Sequence, residues 1–368
     1  MPSALVYIGG VNRGIGYVAN AAAEGIAAFE IDLDSGASRA LGVTRGIDNP
    51  TYLALSPDGG TLVAVSEVDG WHEGVVSCYR VDPSNGVLRY CNKQPSRGDY
   101  TCHTGFDPTG RFVGVANYGG MPITELPNRS FALYTVDEEL SPPCAQVTHA
   151  GQGADAIRQT RPHAHCVRWS PDGRFLIVSD LGIDRLVVYR FDAVNGAVEP
   201  HGEVALTPGA GPRHVLFHPS LPILYCVNEL DGTLVTMAFD AASGNLRPLA
   251  TASTLPEAGY SGNACSALAI SKTGDHVYVG NRGHDSVACL VTDTATGIAS
   301  FQSTTPSGGS VPRDIAFDPS GTTLAVANQE SDHVALFRRD ASTGALSALG
   351  PGIDVGSPTV IAFHPELR

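Results

Sequence analysis

The sequence predicts an all-β protein built as a seven-bladed β-propeller with four-stranded blades. Three observations support this prediction: a composition rich in turn residues, a strand-and-turn segment that recurs along the chain, and an aspartate that recurs at a similar spacing. Charged residues make up 16% of the 368 residues, while 42 glycines and 25 prolines supply turns. No long Ala/Glu/Lys/Leu periodicity is present, so helices are expected to be scarce.

The template of the repeat is the stretch 161–192, RPHAHCVRWSPDGRFLIVSDLGIDRLVVYRFD. Its runs CVRW, FLIV and LVVY are rich in β-branched and aromatic residues and are separated by PDG and GID, which predicts three short strands joined by tight turns. The first strand and turn occur seven times, as YLALSPDGG (52–60), HTGFDPTGR (103–111), HCVRWSPDG (165–173), HVLFHPSLP (214–222), SALAISKTG (266–274), DIAFDPSGT (314–322) and VIAFHPELR (360–368).

An aspartate closes the third strand of each period, and a period near 50 residues can hold the four strands of one propeller blade. These aspartates lie 47 to 55 residues apart, at Asp32, Asp82, Asp137, Asp192, Asp240, Asp293 and Asp340. The two markers are out of phase at the ends of the chain, because LVYIGG and IAAFEID precede any copy of the first strand, whereas VIAFHPELR ends the chain. We therefore expect a single domain, residues 1–368, whose N- and C-terminal strands share one blade and close the ring.

Two stretches interrupt the period and are predicted to be loops over the rim of the propeller. Residues 119–130, GGMPITELPNRS, lengthen the connection after a second strand. Residues 142–161, PPCAQVTHAGQGADAIRQTR, form a long approach to the template. Both contain polar residues with glycine or proline, which is typical of loops rather than of linkers between domains.

The net charge and the cysteine content limit the kinds of partner and the cellular compartment that we expect. The net charge of -14 argues against a nucleic-acid backbone or an anionic membrane as partner. The N-terminus, MPSALVYIGG, lacks the regions of a signal peptide, and no apolar run approaches the roughly 18 residues that span a bilayer. The eight cysteines form no CxxC pair, so free thiols are expected. We expect a cytoplasmic monomer or weak homo-oligomer without a cofactor.

Polar residues are expected to converge at one rim of the channel. A strand, a reversal and a second strand return the chain to its starting side, so His163 and His165 should face the same rim as Asp180, an arrangement that can move protons. The other strand entries contribute His103, Arg213, His214, Asn263 and Arg313, and the other exits contribute Ser66, Glu67, Asn117, Asn228, Glu229, Asn281, Arg282, Asn328 and Gln329. Asparagine recurs at this exit in four of the copies.

Several of these segments resemble the seven-bladed lactonase family, which includes bacterial propeller-type 6-phosphogluconolactonases and fungal carboxy-muconate cyclising enzymes. The resemblance spans the whole chain and is carried by RPHAHCV…SDLGIDR (161–185), GPRHVLFHP…YCVNEL (211–230), VGNRGHDSVA (279–288), VPRDIAFDPSGTTLAVANQESDHVALFR (311–338) and ANYGG (116–120). It implies an active site at this rim with functional residues at His165, Arg213, Glu229 and Arg282. The sequence departs from the family pattern after ANYGG, where MPITELPNRS intervenes and bears on substrate size.

The same residues suit lactone chemistry. Opening a lactone needs a base to activate water, a donor to stabilise the oxyanion and a group to protonate the leaving oxygen. Glu229 or His165 can serve as base, and Arg213 or Arg282 can hold an oxyanion or an acid group of the substrate. As a hypothesis, Glu229 is the general base, and His165 orients the substrate or protonates the leaving oxygen. Further substrate contacts are expected from His103, His163, Asp180, Arg313, Asn328 and Gln329.

Structural alternatives exist for these residues. His165 can be a buried histidine bonded to a carbonyl, and Arg213 with Glu229 can be an ion pair that ties a blade together. Asparagines at the strand exits are more often turn caps than catalytic groups. A zinc site would have to use His103, His163 and His165 with Cys102 or Cys166. No metal is expected, because that spacing matches no known ligand pattern and the chemistry requires none.

Three classes of function follow. The first is hydrolysis of a sugar-acid lactone, with 6-phosphogluconolactone as the best single candidate. The second is a cycloisomerase that forms or opens a muconate-type lactone, because the same groups can add a carboxylate across a double bond. The third is a non-catalytic binding propeller, which the charged set disfavours because protein-binding faces usually present aromatic and apolar anchors. The expected partner is a small anionic lactone or dicarboxylate.

Overall fold

The computed structural model describes residues 2–18, 20–119, 128–256 and 260–368. The described chain forms seven antiparallel sheets. The innermost strand of each sheet contacts the innermost strand of the next sheet, and the last contacts the first, so the sheets form a closed ring. The predicted all-β architecture, a seven-bladed propeller, is confirmed.

The strands are numbered in chain order and grouped here by blade. The chain begins with β1 (Ser3–Gly10), β2 (Ile26–Asp32) and β3 (Ser38–Thr44). Blade 1 is β4 (Pro50–Leu55), β5 (Thr61–Ser66), β6 (Val75–Val81) and β7 (Leu88–Pro95); blade 2 is β8 (Thr101–Phe106), β9 (Phe112–Asn117), β10 (Phe131–Thr135) and β11 (Ala145–Val147). Blade 3 is β12 (Ala164–Trp169), β13 (Phe175–Asp180), β14 (Arg185–Phe191) and β15 (Val198–Ala205); blade 4 is β16 (Pro212–Phe217), β17 (Ile223–Asn228), β18 (Thr233–Phe239) and β19 (Leu246–Ser253).

Blade 5 is β20 (Ala264–Ile270), β21 (His276–Arg282), β22 (Ser286–Thr292) and β23 (Ala299–Pro306). Blade 6 is β24 (Pro312–Phe317), β25 (Thr323–Asn328) and β26 (His333–Arg339), with its outer strand in two pieces, β27 (Leu346–Ala348) and β28 (Ile353–Asp354). The closing blade joins β29 (Pro358–Leu367) to β1, β2 and β3. Within the described ranges, helical structure consists of two short 3-10 turns, Leu181–Ile183 and Gln329–Ser331.

The closing blade combines both ends of the chain. Its strand order is β29-β1-β2-β3, with the C-terminal strand innermost. Tyr7 of β1 lies opposite Ala362 on one side and Ala28 on the other. The blade shared by the termini, which the phase offset of the two repeat markers predicts, is therefore confirmed.

The recurring aspartates mark the hairpin between the third and fourth strands. In six of the seven hairpins a glycine follows four residues later with φ between 69° and 77°, a left-handed conformation that glycine adopts without steric penalty. Its N–H donates to the aspartate carbonyl, as from Gly86 to Asp82 at 2.8 Å. The hairpin at Asp137 lacks this glycine and closes through a bridge between Val136 and Leu140.

The two interruptions of the repeat differ in the structure. Residues 120–127 of the first interruption lie outside the described residues. The second is not wholly a loop, because β11 forms the fourth strand of blade 2 and pairs Val147 with Phe131 of β10. Three residues are too few to show a strand periodicity in the sequence. The remainder of this stretch passes over the rim and brings Arg158 to the cavity described below.

The hydrophobic core lies between adjacent blades. The second strands β5, β9, β13, β17 and β25 are buried along their whole length, because each is paired on both sides and covered on both faces. Leu5 and Tyr7 of the closing blade pack with Leu62 and Ala64 of blade 1 in one cluster. Burial of apolar surface between blades therefore holds the ring closed.

Replacing Leu5 by Ala is expected to destabilise the protein by about 2–5 kcal/mol, because Leu5 is fully buried in the cluster that joins the closing blade to blade 1. Urea unfolding measures this change. The matched control is Val87→Ala, at a side chain that is 49% exposed, with an effect within about 0.5 kcal/mol. Equal effects of the two substitutions would contradict this account of ring closure.

Two further observations bear on the environment of the protein. No helix in the described part of the chain is long and apolar enough to cross a membrane. All eight cysteines are free, as expected, and six of them are buried, namely Cys78, Cys102, Cys166, Cys226, Cys265 and Cys289.

Candidate active site

A cavity of about 480 Å³ lies where the innermost strands begin and the second strands end. The residues that line it are Tyr17, Glu67, Tyr100, Cys102, Tyr118, Arg158, His165, Arg213, Glu229, Arg282, Val311, Arg313 and Gln329. Six of the residues predicted from the sequence are therefore brought together: His165, Arg213, Glu229, Arg282, Arg313 and Gln329. The described lining holds four arginines against two glutamates.

A repeated β-bulge aims side chains into this cavity. The register between innermost and second strand shifts at the second residue of five innermost strands, at Thr51, Cys102, His165, Arg213 and Arg313. A bulge leaves this residue out of the ladder and re-aims its side chain. Four of the five line the cavity. One backbone irregularity, repeated around the ring, thus brings four of the lining side chains to the cavity.

Two aspartates with a left-handed backbone conformation fix the segments that precede two of these strands. Asp184 has φ of 52°, and its carboxylate accepts hydrogen bonds from the N–H groups of Gly209 at 2.7 Å and Gly211 at 2.8 Å. Asp285 also has φ of 52° and accepts from the N–H of Val311 at 2.8 Å. These contacts hold the segments that enter β16 and β24, and so they position the arginine that begins each bulge.

Glu229 lies at the centre of three arginines. It directly follows β17, and its N–H donates to the carbonyl of Gly211 at 2.7 Å. Its Oε2 is 3.0 Å from Arg213 Nε and 2.8 Å from Arg282 Nη2. Its Oε1 is 2.6 Å from Arg158 Nη2. Both carboxylate oxygens are therefore engaged by guanidinium groups.

The charges in this cluster shift one another's pKa values, and Glu229 is held in its ionised form. Burial raises the pKa of Glu229, but attraction to Arg282, Arg213 and Arg158 outweighs burial and brings the pKa well below its usual value. Burial lowers the pKa of Arg213 to about 10, with Arg282 adding to the effect and Glu229 opposing it. A carboxylate so strongly held in its ionised form is a weak proton acceptor. The geometry therefore favours Glu229 as the anchor of the arginines over Glu229 as general base.

His165 is a buried, neutral imidazole on the cavity wall. Its Nδ1 is 3.8 Å from Cys102 Sγ, and its ring centroid is 5.7 Å from that of Tyr118 and 5.4 Å from that of His214. Burial lowers the pKa of His165 well below its usual value, and the charge of Arg213 lowers it further. A neutral imidazole can donate a hydrogen bond from one nitrogen and accept at the other.

His163 and Asp180 do not line the cavity. The Asp180 carboxylate accepts from the N–H of His163 at 2.7 Å and of Gly182 at 3.0 Å, and it contacts His149 Nδ1 at 2.7 Å. The His163 ring stacks on Tyr118 with centroids 4.2 Å apart, and its Nδ1 is 2.6 Å from the Tyr118 carbonyl oxygen. The expected set of two histidines beside a carboxylate is not formed, because Asp180 faces His149, which follows the outer strand of blade 2, and the backbone N–H groups of His163 and Gly182.

His103 also lies outside the lining of the cavity. Its ring packs on Tyr52 with centroids 4.3 Å apart and lies edge-on to His214 at 5.3 Å. Its Nε2 is 3.4 Å from Cys166 Sγ. Tyr52 and His214 border a separate cavity of about 170 Å³. His103 therefore contacts the channel lining away from the arginine cluster.

Asn328 has a structural contact that repeats in other blades. Its Nδ2 donates to the carbonyl of Ser307 at 2.9 Å, just beyond the outer strand of the preceding blade. The equivalent bonds run from Asn117 to Ser96 at 3.0 Å and from Asn281 to Thr254 at 3.2 Å. In blades 2, 5 and 6 the asparagine at the strand exit thus ties the second strand to the preceding blade, whereas Asn228 donates to Thr233 Oγ1 of its own blade at 2.9 Å.

The cavity also holds residues that sequence reasoning missed. Arg158 belongs to the interruption 142–161, where no repeat register indicates the direction of a side chain. Tyr118 lies in ANYGG, and its hydroxyl accepts from Arg158 Nη2 at 3.2 Å. Glu67 was among the strand exits but was not singled out, although the same exit position yields Glu229. Tyr17, Tyr100 and Val311 complete the set, and Cys102, which the sequence offered only as a zinc candidate, also lines the cavity.

Metal binding finds no support in the parts of the chain that the structure describes. No group of three or more His, Cys, Asp or Glu residues there is placed to hold an ion. Among the zinc candidates, His165 and Cys102 line the arginine cavity, whereas His103 and His163 have the separate contacts given above.

The fold is a propeller with a charged cavity whose volume is in the range typical of small-molecule sites. A family model described as "Lactonase, 7-bladed beta-propeller" matches residues 6–363, and the chain belongs to this family. A Bacillus subtilis protein named 6-phosphogluconolactonase is 32% identical over 352 residues, which cover 95% of this chain and 98% of the relative.

Two further comparisons agree with this assignment. A 6-phosphogluconolactonase of Formosa agariphila is 31% identical over 332 residues, or 88% of this chain and 91% of that protein. The structure of the periplasmic gluconolactonase of Pseudomonas aeruginosa superimposes with a TM-score of 0.87 at 30% identity, and the match covers 98% of this chain and 99% of that one. The names of these relatives support a lactonase activity.

Proposed function

We propose that the protein hydrolyses an anionic sugar-acid lactone in the arginine-lined cavity, with 6-phosphogluconolactone as the model substrate. The observation that carries this proposal is local charge: four arginines face two glutamates in a protein whose net charge is -14. Buried guanidinium groups bind phosphate and carboxylate strongly because their planar N–H groups match these anions. A volume of about 480 Å³ suits a phosphorylated sugar lactone.

The residues divide into four roles in this proposal. Arg213, aimed by its bulge, donates to the oxygen of the lactone carbonyl as negative charge develops there. Arg282 and Arg158 hold the acid group of the substrate. Glu229 fixes the three guanidinium groups before substrate arrives, so no reorganisation is needed during the reaction. His165, as a neutral imidazole, orients the substrate or donates to the leaving oxygen.

Acid release in a pH-stat tests the proposed activity. Aldonolactones with and without a 6-phosphate are compared with enzyme-free blanks, because lactones also open spontaneously. We expect release above the blank and a kcat/KM at least about 10-fold higher for the phosphorylated lactone, since each charge-assisted contact contributes roughly 1.5–3 kcal/mol. Hydrolysis of none of the lactones, with ring closure of an unsaturated dicarboxylate instead, would replace this proposal by the cycloisomerase function.

We also propose a cytoplasmic protein that acts as a monomer or weak homo-oligomer. The eight free cysteines support a reducing compartment. The gluconolactonase of Pseudomonas aeruginosa is periplasmic, so membership of the family does not by itself fix the compartment. Cell fractionation checks the location, and sedimentation at several concentrations checks the assembly.

A further inference from the structure

A second carboxylate, Glu67, enters the same cavity from blade 1, three blades around the ring from Glu229. It follows β5 as Glu229 follows β17, and it is also buried. Its surroundings differ from those of Glu229 in one respect that matters for chemistry. Glu229 has three arginines within ion-pair distance, whereas the Glu67 carboxylate accepts a hydrogen bond from the neutral hydroxyl group of Thr51.

One hydroxyl group orients the Glu67 carboxylate. Oε2 accepts from Thr51 Oγ1 at 2.9 Å, and Thr51 is the bulge residue of β4. Tyr17 lines the same cavity. The guanidinium of Arg313 lies over the Tyr17 ring, 4.4 Å from its centroid. The Thr51 hydroxyl thus fixes one carboxylate oxygen, and the guanidinium of the neighbouring Arg313 is engaged with the Tyr17 ring.

Hydrogen bonds made by Asn49 and Asn12 hold this arrangement in place. Asn49 has φ of 39°, a strained left-handed conformation, and its Nδ2 donates to the carbonyl of Glu67 at 2.9 Å. Its Oδ1 accepts from the N–H of Asn12 at 2.9 Å, and its own N–H donates to Asn12 Oδ1 at 2.8 Å. The segment after β1, which carries Tyr17, is therefore joined to the strand exit that carries Glu67.

We propose that Glu67 is the proton-transfer group of the lactone hydrolysis, an inference that rests on the function proposed above. Its carboxylate accepts a proton as the oxygen of a water molecule forms a bond to the lactone carbonyl carbon. The bond between that carbon and the ring oxygen then breaks, and the Glu67 carboxyl returns the proton to the ring oxygen. The products are the hydroxy acid and the original carboxylate, and the acid ionises into solvent.

The electrostatics of Glu67 agree with this role. Burial raises the pKa of Glu67, and the effect exceeds the opposing influence of Arg313, of the nearby Tyr17 hydroxyl and of the hydrogen bond from Thr51. A raised pKa makes the ionised form a better proton acceptor. The titratable or charged groups around it are Arg313 from β24, Arg213 from β16, Tyr17 from the segment after β1, and Tyr100 and Cys102 at the start of blade 2.

The pH dependence follows from the sign of this shift. Only ionised Glu67 can accept the proton, so kcat/KM should fall as pH drops through a pKa above the ordinary glutamate value of about 4.3. The hydrogen bond from Thr51 stabilises the ionised form. Replacing Thr51 by Val should therefore raise the pKa further and move this acid limb to higher pH.

The test uses Glu67→Gln on a lactone that the wild-type protein hydrolyses. We expect kcat to fall by about 10²- to 10⁴-fold while KM and product affinity change by less than about threefold. The acid limb should vanish in this variant and shift upward in Thr51→Val. The control is Glu73→Gln, a glutamate of the same blade that pairs with Arg97 and does not line the cavity, with wild-type kinetics expected.

Two results would overturn the proposal while leaving the proposed function intact. One is a folded Glu67→Gln protein that keeps more than about half of its kcat, because a general base cannot be removed without loss. The other is an acid limb that stays in place in Thr51→Val. Absence of hydrolysis in the wild-type protein on the full panel would instead remove the proposed function itself. Thermal unfolding of each variant shows whether a loss of activity comes from the missing side-chain group or from an unfolded protein.

Discussion

Replacing Glu229 by Gln is expected to lower kcat/KM by about 10²- to 10⁴-fold. Glutamine keeps the shape of the side chain but places an N–H₂ donor against a guanidinium group. Arg158, Arg213 and Arg282 would then lose the carboxylate that holds them at 2.6 to 3.0 Å. Because these arginines are proposed to bind both the acid group and the oxyanion, KM should rise as kcat falls. Initial rates on a lactone that the wild-type protein hydrolyses measure both constants.

The same substitution should reduce stability, since breaking a buried ion pair costs about 3–5 kcal/mol. The pKa of Glu229 is lowered in the folded protein, so its contribution is present above the unfolded pKa of about 4.3 and is lost as pH falls through the lower folded value. The variant should therefore lose less stability in acid than the wild type. Chemical unfolding at pH 7 and below pH 4 checks this difference.

Glu203→Gln is the matched control for this experiment. The Glu203 side chain is 62% exposed and pairs with Arg185 at 3.4 Å, so neither kinetics nor stability should change measurably. A Glu229→Gln protein with unchanged KM and unchanged stability but a large loss of kcat would restore Glu229 as general base. Full activity of the variant would show that Glu229 has no role in substrate binding or catalysis.

Replacing Arg282 by Ala is expected to raise KM by about 10- to 100-fold with kcat within about threefold of the wild type. Arg282 contacts Glu229 at 2.8 Å and donates to the carbonyls of Ala264 and Cys265 at 3.2 and 3.0 Å. Its side chain is 16% exposed, so it is open enough to meet a substrate anion. Loss of this cation weakens binding of the acid group equally in the ground state and in the transition state, so KM rises while kcat is nearly unchanged. Inhibition by inorganic phosphate should weaken in parallel.

Arg185→Ala provides the control for loss of an arginine. Its side chain is 34% exposed, pairs with Glu203 and does not line the cavity, so KM should stay at the wild-type value. If Arg282→Ala instead lowered kcat and left KM unchanged, Arg282 would be the donor to the oxyanion. Arg213 would then have the substrate-binding role.

The blade architecture follows from features that are local in sequence. The strand-and-turn copy and the aspartate with its following glycine each specify a turn by short-range chemistry, and the structure shows those turns at the expected positions. The phase offset between the two markers placed β29 beside β1. The strand β11 was not predicted, because three residues inside an irregular stretch show no strand periodicity.

The site was predicted in part, and there is a physical reason why the rest of it was not. Strand entries and exits converge because hairpins return the chain to one rim, which brings His165, Arg213 and Glu229 together. The same rule also selected Asp180, which instead caps the turn after β13 and contacts His149. Position along a strand locates a residue at the rim but does not say which way its side chain points.

The sequence by itself determined the seven blades, their closure through the two termini and the rim at which polar residues gather, because turn chemistry and strand periodicity act over a few residues. The tertiary structure decided which of those residues share a cavity. The bulges that aim Arg213 and Arg313, the arrival of Arg158 from an irregular segment and the contrast between Glu67 and Glu229 depend on contacts between distant blades. Such contacts set direction, burial and charge environment, and no local pattern in the chain encodes them.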